Sequence, residues 1–171
     1  METQHIAELI GRVTTGDPWH GSSAAQLLAG VSAADAARRM APKTHSIWEI
    51  VLHMTGWTNE VRARLGGRAA QDPDGGDWPA IGPPTEERWR AATDAFFAAH
   101  RDLIAAVQAF DPAALQQPVV DFRPVEPSRS GPDERDRALG TGLSKYLTLH
   151  GLVHHTVYHS GQIGLLKTMV A

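Results

Sequence analysis

Apolar residues recur along this chain at steps of three and four, the spacing of helices that bury one face. Ile6, Leu9, Ile10 and Val13 predict a first helix over about 4–14, closed by Asp17-Pro18. Ser22 or Ser23 can cap a short piece containing Leu27 and Leu28. Ser32-Ala33-Ala34-Asp35 resembles a capping box and opens another short helix that ends near Met40-Ala41-Pro42. A second long helix is expected from about Thr44 to Leu65. Its stripe is Ile47, Ile50, Met54, Trp57, Val61 and Leu65, and Gly66-Gly67 is its stop. The stretch QDPDGGDWPAIGPP is half glycine and proline and reads as a loop. Thr85 caps the third long helix, with Glu86 and Glu87 in its first turn and Trp89, Ala92, Phe96, Ala99, Leu103 and Val107 on its apolar face. Asp111-Pro112 opens a short turn. Residues 117–141 read as a long loop with an extended piece at Val119–Phe122, and the last long helix runs from about Leu143 to Met169.

The pattern defines an all-α fold: a four-helix bundle with short extra helices and a long loop before the last helix. The expected core includes Trp57, Trp89, Phe96, Leu103, Leu152 and Leu166. With 171 residues, one domain over 1–171 is expected.

Composition narrows the function classes. The net charge of −3, with histidines neutral, gives no basic footprint for nucleic acid. No stretch approaches the ~20 apolar residues of a membrane span. The N-terminal METQHIAELIGR lacks the basic start and long apolar run of a secretory signal, so a cytoplasmic location is expected. There is no cysteine, which excludes thiolate ligands and leaves histidine and carboxylate for any metal.

Histidine is where candidate chemistry concentrates. The chain has nine, and His150, His154, His155 and His159 fall in the last helix. Two pairs, 150/154 and 155/159, have i, i+4 spacing. That puts two imidazoles about 40° apart around a helix and roughly 6 Å apart along it, close enough to share an ion. On the helical wheel His155 and His159 border one edge of the apolar arc formed by Tyr146, Leu149, Leu152, Val153, Ile163, Leu166 and Val170. His150 and His154 border the other edge, so the wheel allows either pair. His53, beside the stripe of the second long helix, is the candidate third ligand. Glu49, four residues earlier, is expected to orient its ring. His45 reads as structural or solvent-facing, and His5, His20 and His100 have no patterned partner. Glu2-Thr3-Gln4-His5 matches the Glu-x-x-His element of di-iron bundles, but that architecture needs two such elements. No His-Glu-x-x-His, phosphate-binding glycine loop or Gly-x-Ser-x-Gly occurs.

Three segments, PWHGSSAAQLLAGVSAADAARRM, HSIWEIVLHMTGW and HGLVHHTVYHSGQIGLLK, resemble in this order the DinB/YfiT-like superfamily. The resemblance covers nearly the whole chain and is weakest over 117–141. It implies a four-helix bundle, often a homodimer, holding one divalent transition metal on three histidines. Those align here with His53, His155 and His159, which selects between the two pairs. Gly161 and Gln162 match the Gly-Gln that follows, whereas Ser160 stands where many relatives have alanine or arginine. Zinc, nickel, iron and manganese all suit histidine ligands.

The resemblance also implies candidate reactions on a small-molecule substrate. The first is a thiol-dependent S-transferase that uses bacillithiol or mycothiol, in which the metal lowers the thiol's pKa. The second is a metal-dependent hydrolase using a metal-bound water. A further reading, from a different class, is a non-catalytic metal-binding stress protein. A transferase is expected to carry a basic patch for an anionic thiol, for which Arg123 and Arg129 are candidates. A hydrolase is expected to carry a fixed acid or base. Gln162 is the candidate catalytic side chain, able to hold a water or substrate group. Trp19 and His20 are candidates for the rim of the pocket.

Overall fold

In the computed structural model, which describes residues 2–119 and 139–170, four long helices form the bundle. They are α1 (Glu2–Thr14), α4 (Ile47–Leu65), α5 (Glu86–Gln108) and α6 (Lys145–Val170). Two short helices, α2 (Ala24–Leu28) and α3 (Ala33–Ala37), lie between α1 and α4. A 3-10 turn, Pro112–Ala114, follows α5. α4 packs on α5 and α6, and so does α1, so α1 and α4 lie across the bundle from each other. None of the helices described is long and apolar enough to cross a membrane.

Local chemistry sets the helix ends. The Ser46 hydroxyl accepts from the Glu49 amide and the Glu49 carboxylate accepts from the Ser46 amide, so α4 starts after Ser46 rather than at Thr44. Ser32 caps α3 through the Asp35 amide, and Thr85 caps α5 through Arg88. The start of α6 is fixed by a distant segment: Tyr146 donates to the Leu115 carbonyl at 2.8 Å and Lys145 to the Gln117 carbonyl at 3.0 Å. Those bonds satisfy two amides that a helix N-terminus leaves without intrahelical partners. The expected extended piece is represented by Val119, which donates to Leu143 at 2.8 Å beside a single antiparallel bridge between Pro118 and Ser144. Residues 120–122 of that piece, with Arg123 and Arg129, lie outside the described residues.

The core divides into two apolar clusters. One gathers α2, α3, the first half of α4, the start of α5 and the end of α6, around Trp48, Ile50, Trp89, Phe96 and Ile163. The other gathers α1, the ends of α4 and α5 and the start of α6, around Ile6, Ile10, Leu103, Leu149 and Leu152. The short helices are pinned to the first cluster by polar bonds. Trp89 Nε1 donates to the Val31 carbonyl, the Ala33 amide to Glu86, and Lys167 Nζ to the carbonyls of Leu27 and Ala29. Trp89, Phe96, Leu103, Leu152 and Leu166 are buried as expected. Trp57 is only half-buried, and Trp48, on the side of α4 that meets α3 and α5, is the fully packed indole of that helix.

Beneath the loop after α4 lies a buried ion pair. Glu60 Oε1 accepts from Arg64 Nε at 3.0 Å, and Arg68 pairs with the second carboxylate oxygen. Arg64 also donates to the carbonyls of Leu139 at 2.7 Å and Gln71 at 3.2 Å. Arg64 therefore ties α4 to two chain segments at once. Removing one partner of a buried pair leaves the other charge in a low-dielectric interior, which typically costs ~3–5 kcal/mol. Arg64→Ala is expected to destabilise the protein by about that amount in urea titration. Replacing Glu60 and Arg64 together by leucine and methionine is expected to be milder; an Arg64→Ala midpoint equal to wild type would show the pair to be idle.

Candidate metal centre

His53 lies in the middle of α4, and His155 and His159 lie one turn apart in the middle of α6, the helix packed against it. The three imidazoles converge. His53 Nε2 and His155 Nε2 are 2.9 Å apart, and one ring nitrogen from each histidine lies within 4.8 Å of the other two. His150 and His154 do not join them. His154 is exposed, and the His150 ring packs on Tyr146.

The hydrogen bonds of the other ring nitrogens fix which lone pairs face the centre. His53 Nδ1–H donates to the Asp77 carbonyl at 2.7 Å, with the Asp77 carboxylate at 3.2 Å. His159 Nδ1–H donates to Gln162 Oε1 at 2.6 Å. Both rings therefore present an unprotonated Nε2 inward. Burial is the main cause of a lowered pKa at all three: His53 and His159 fall below 6.5, and His155 falls to about 3, helped by repulsion from His159 and His53. They are neutral near pH 7, the state in which imidazole ligates metal. Ligand bonds of ~2.0–2.1 Å place the ligands of a tetrahedral ion about 3.3 Å apart, a span this cluster matches with little movement. The donor set therefore fits a divalent metal held by His53, His155 and His159.

Asp77 and Trp78 were not singled out by the sequence pattern. They sit in the Gly/Pro-rich loop before α5, which comes back over α4. The backbone of Gly56 permits that approach: a side chain there would meet Pro73 at 3.1 Å. Asp77 Oδ1 also accepts from Trp57 Nε1 at 2.7 Å, which explains why that indole stays at the surface of the bundle. The Trp78 ring is sandwiched between His53, with centroids 3.9 Å apart, and His45, at 3.5 Å, both nearly parallel to it. An aromatic residue within a glycine- and proline-rich loop was the available signal, but nothing local says where such a loop returns.

Other expected residues divide. Glu49 does not orient His53; its carboxylate is engaged by the Ser46 amide and by Arg39. At the third position of a serine-capped helix, the cap amide is its nearer donor. Gln162 borders the site and holds His159. Trp19 is fully exposed and His20 is exposed, both in the turn after α1, and neither lines the cavities at the histidines. Ser160 is buried, with a hydroxyl that finds no hydrogen-bond partner among the described residues.

Two cavities open from the cluster. One, of about 640 Å³, runs toward the start of α4 and the end of α6, past Lys43, His45, Trp78, Tyr158, Gln162 and Leu165. The other, of about 490 Å³, runs the opposite way along both helices, past Trp57, Val61, Arg64, Leu147 and Leu152. His53, Asp77 and His155 line both.

A family model of the DinB superfamily matches residues 19–163, and the chain belongs to that superfamily. No curated protein and no solved structure matches it.

Two predictions test the centre. His53→Ala, His155→Ala or His159→Ala should abolish tight divalent-metal binding in calorimetry, while His150→Ala and His154→Ala should retain it. Equal loss in all five folded variants would disprove the ligand set. The second concerns His100, buried on α5, whose Nδ1–H donates to the Phe96 carbonyl at 2.9 Å. Burial pushes its pKa down from 6.5 to about 4. Above 6.5 neither the folded nor the unfolded chain protonates this ring. Between the two values only the unfolded chain takes up the proton, so stability falls as pH falls through that window. In chelator-treated protein, His100→Gln should flatten the slope of unfolding free energy against pH in that window by up to ~1.4 kcal/mol per pH unit. An unchanged slope would show that His100 is not held neutral.

Proposed function

We propose that this protein is a metal-dependent S-transferase joining a low-molecular-weight thiol to a carbon electrophile. The observation that carries this reading is the meeting of two separate cavities at one histidine cluster. A group transfer brings two substrates to one point; hydrolysis needs a site for one. The larger cavity carries Lys43 at its edge and suits the anionic thiol. The smaller is lined by Val61, Leu147, Leu152 and the Trp57 indole, besides Asp72 and Arg64, the latter paired with Glu60, and takes the electrophile. The chain has no cysteine, so the nucleophilic sulfur comes from the co-substrate.

A divalent metal on His53, His155 and His159 would supply Lewis acidity that favours the thiolate at neutral pH. The chain's own residues do the rest. The thiol proton passes to solvent, for which the half-exposed Asp77 carboxylate, on the outer Nδ1 side of His53 and bordering both cavities, is the candidate acceptor. The sulfur lone pair then forms the new S–C bond as the carbon–leaving-group bond breaks. The leaving group departs with that electron pair. Gln162 and the Asp77 carbonyl keep His159 and His53 in the tautomer and orientation that aim Nε2 inward.

Asp77 also supports a second reading. A fixed carboxylate beside the histidines can serve as the general base of a hydrolase.

The readings separate in one assay. Metal-loaded protein should consume a haloaromatic electrophile only when a thiol such as bacillithiol or mycothiol is added, and His155→Ala should collapse the rate. Ester or amide cleavage without thiol, together with no conjugation across a broad thiol panel, would reject the transferase in favour of the hydrolase. Conjugation that persists after metal removal would reject the metal's part in it.

A further inference from the structure

The interior of the bundle carries polar side chains at mid-height. Thr58 on α4, His100 on α5 and Thr156 on α6 are all buried. Each stands in its helix between a residue of one apolar cluster and a residue of the other: Met54 and Val61, Phe96 and Leu103, Val153 and Ile163. The two threonines are satisfied by their own helices. Thr58 donates to the Met54 carbonyl at 2.8 Å, and Thr156 to the Leu152 carbonyl at 2.9 Å.

An imidazole has two ring nitrogens to satisfy. His100 gives its Nδ1 proton to the Phe96 carbonyl at 2.9 Å, so its Nε2 is a lone pair. The hydroxyl beside that lone pair, Thr58 Oγ1 at 3.4 Å, has already given its proton to Met54. His100 Nε2 is thus a buried acceptor facing a second acceptor, and both call for a donor.

His155 has the complementary deficit. Ligation through Nε2 leaves the single proton of a neutral imidazole on Nδ1. For that proton His53 has the Asp77 carbonyl and His159 has Gln162. His155 Nδ1 is buried and has no partner among the described residues. A buried N–H without an acceptor is costly, and ligating histidines almost always have one. Helices α5 and α6 face each other across the bundle, both packed on α1 and α4, and a charge on His100 acts on His155.

We infer that His100 is a positioning residue of the metal centre, its Nε2 receiving the His155 Nδ1 proton through one buried water. Such a water accepts from His155 and donates to His100 Nε2 and to Thr58 Oγ1, the three bonds typical of buried water. The relay ends on the Phe96 carbonyl, so α5, which supplies no ligand, fixes the orientation of a ligand on α6. The inference rests on His155 being a ligand and not on which reaction the site performs.

The test uses zinc-loaded protein labelled with nitrogen-15 histidine. In wild type the His155 Nδ1 proton should be visible and exchange slowly with solvent, while His100 carries its proton on Nδ1. His100→Leu, which keeps an apolar side chain in the buried place, should remove that protection and weaken zinc binding in calorimetry by roughly 10–100-fold. His100→Gln, whose side-chain oxygen can accept the same bond, should restore most of both. A merely structural His100 would leave zinc affinity untouched in both folded variants, and that result would overturn the inference. So would a rapidly exchanging His155 Nδ1 proton in wild type, a measurement that decides even if His100→Leu fails to fold. Unchanged zinc affinity in His155→Ala would overturn the ligand set itself and this inference with it, a result distinct from failure at His100 alone.

Discussion

The centre depends on where two imidazole protons are spent. His53 gives its Nδ1 proton to the carbonyl of Asp77, and His159 gives its own to Gln162. A neutral imidazole has one donor and one acceptor, so each bond commits the opposite nitrogen as a lone pair aimed inward. Burial keeps the rings neutral and therefore keeps those lone pairs available. Without the two outer acceptors, rings at the same positions could turn or change tautomer, and convergence would be lost.

Much of the surrounding structure brings those acceptors into place. Gln162 comes with the helix, three residues beyond His159. Asp77 arrives by a longer route. The chain leaves α4 at Gly66, and Gln71 is held by Arg64 and Glu60. Pro73 then passes over Gly56, and Trp78 inserts between His45 and His53. The buried Glu60–Arg64 pair thus fixes the loop that orients a ligand one helical stretch away. The histidines lie between the two apolar clusters, where α4 and α6 face each other and cavities can extend in both directions along the bundle without breaching either cluster.

Much of this was legible along the chain. The four long helices follow from three-and-four spacing; Thr85 and Gly66 mark ends of two of them, and Ser32 and Asp111 mark the starts of the short α3 and the 3-10 turn, because capping is decided within a few residues of backbone. The i, i+4 spacing of His155 and His159 marked a candidate pair for the same reason. Spacing alone could not prefer it to His150 and His154, since both pairs border the apolar arc; the family resemblance made the choice. Glu49 shows the limit of such local reasoning. Its spacing from His53 suited an orienting partner, but its spacing from Ser46 suited a capping box, and the nearer backbone donor won.

The sequence by itself determined the long helices, the caps at Ser32, Thr85 and Asp111, and the histidines among which a cluster could form. Tertiary structure alone decided that Asp77 holds His53, that Trp78 stacks between two imidazoles, that Trp57 stays partly exposed while Trp48 is buried, and that Trp19 and His20 do not line the cavities at the site. The physical reason is range. Helical periodicity and capping act over three or four residues, and their geometry is set by the backbone itself. A glycine- and proline-rich loop has no such repeat, and its path is fixed only by what it meets across the fold: here the backbone of Gly56, the buried Arg64 and the proton on His53.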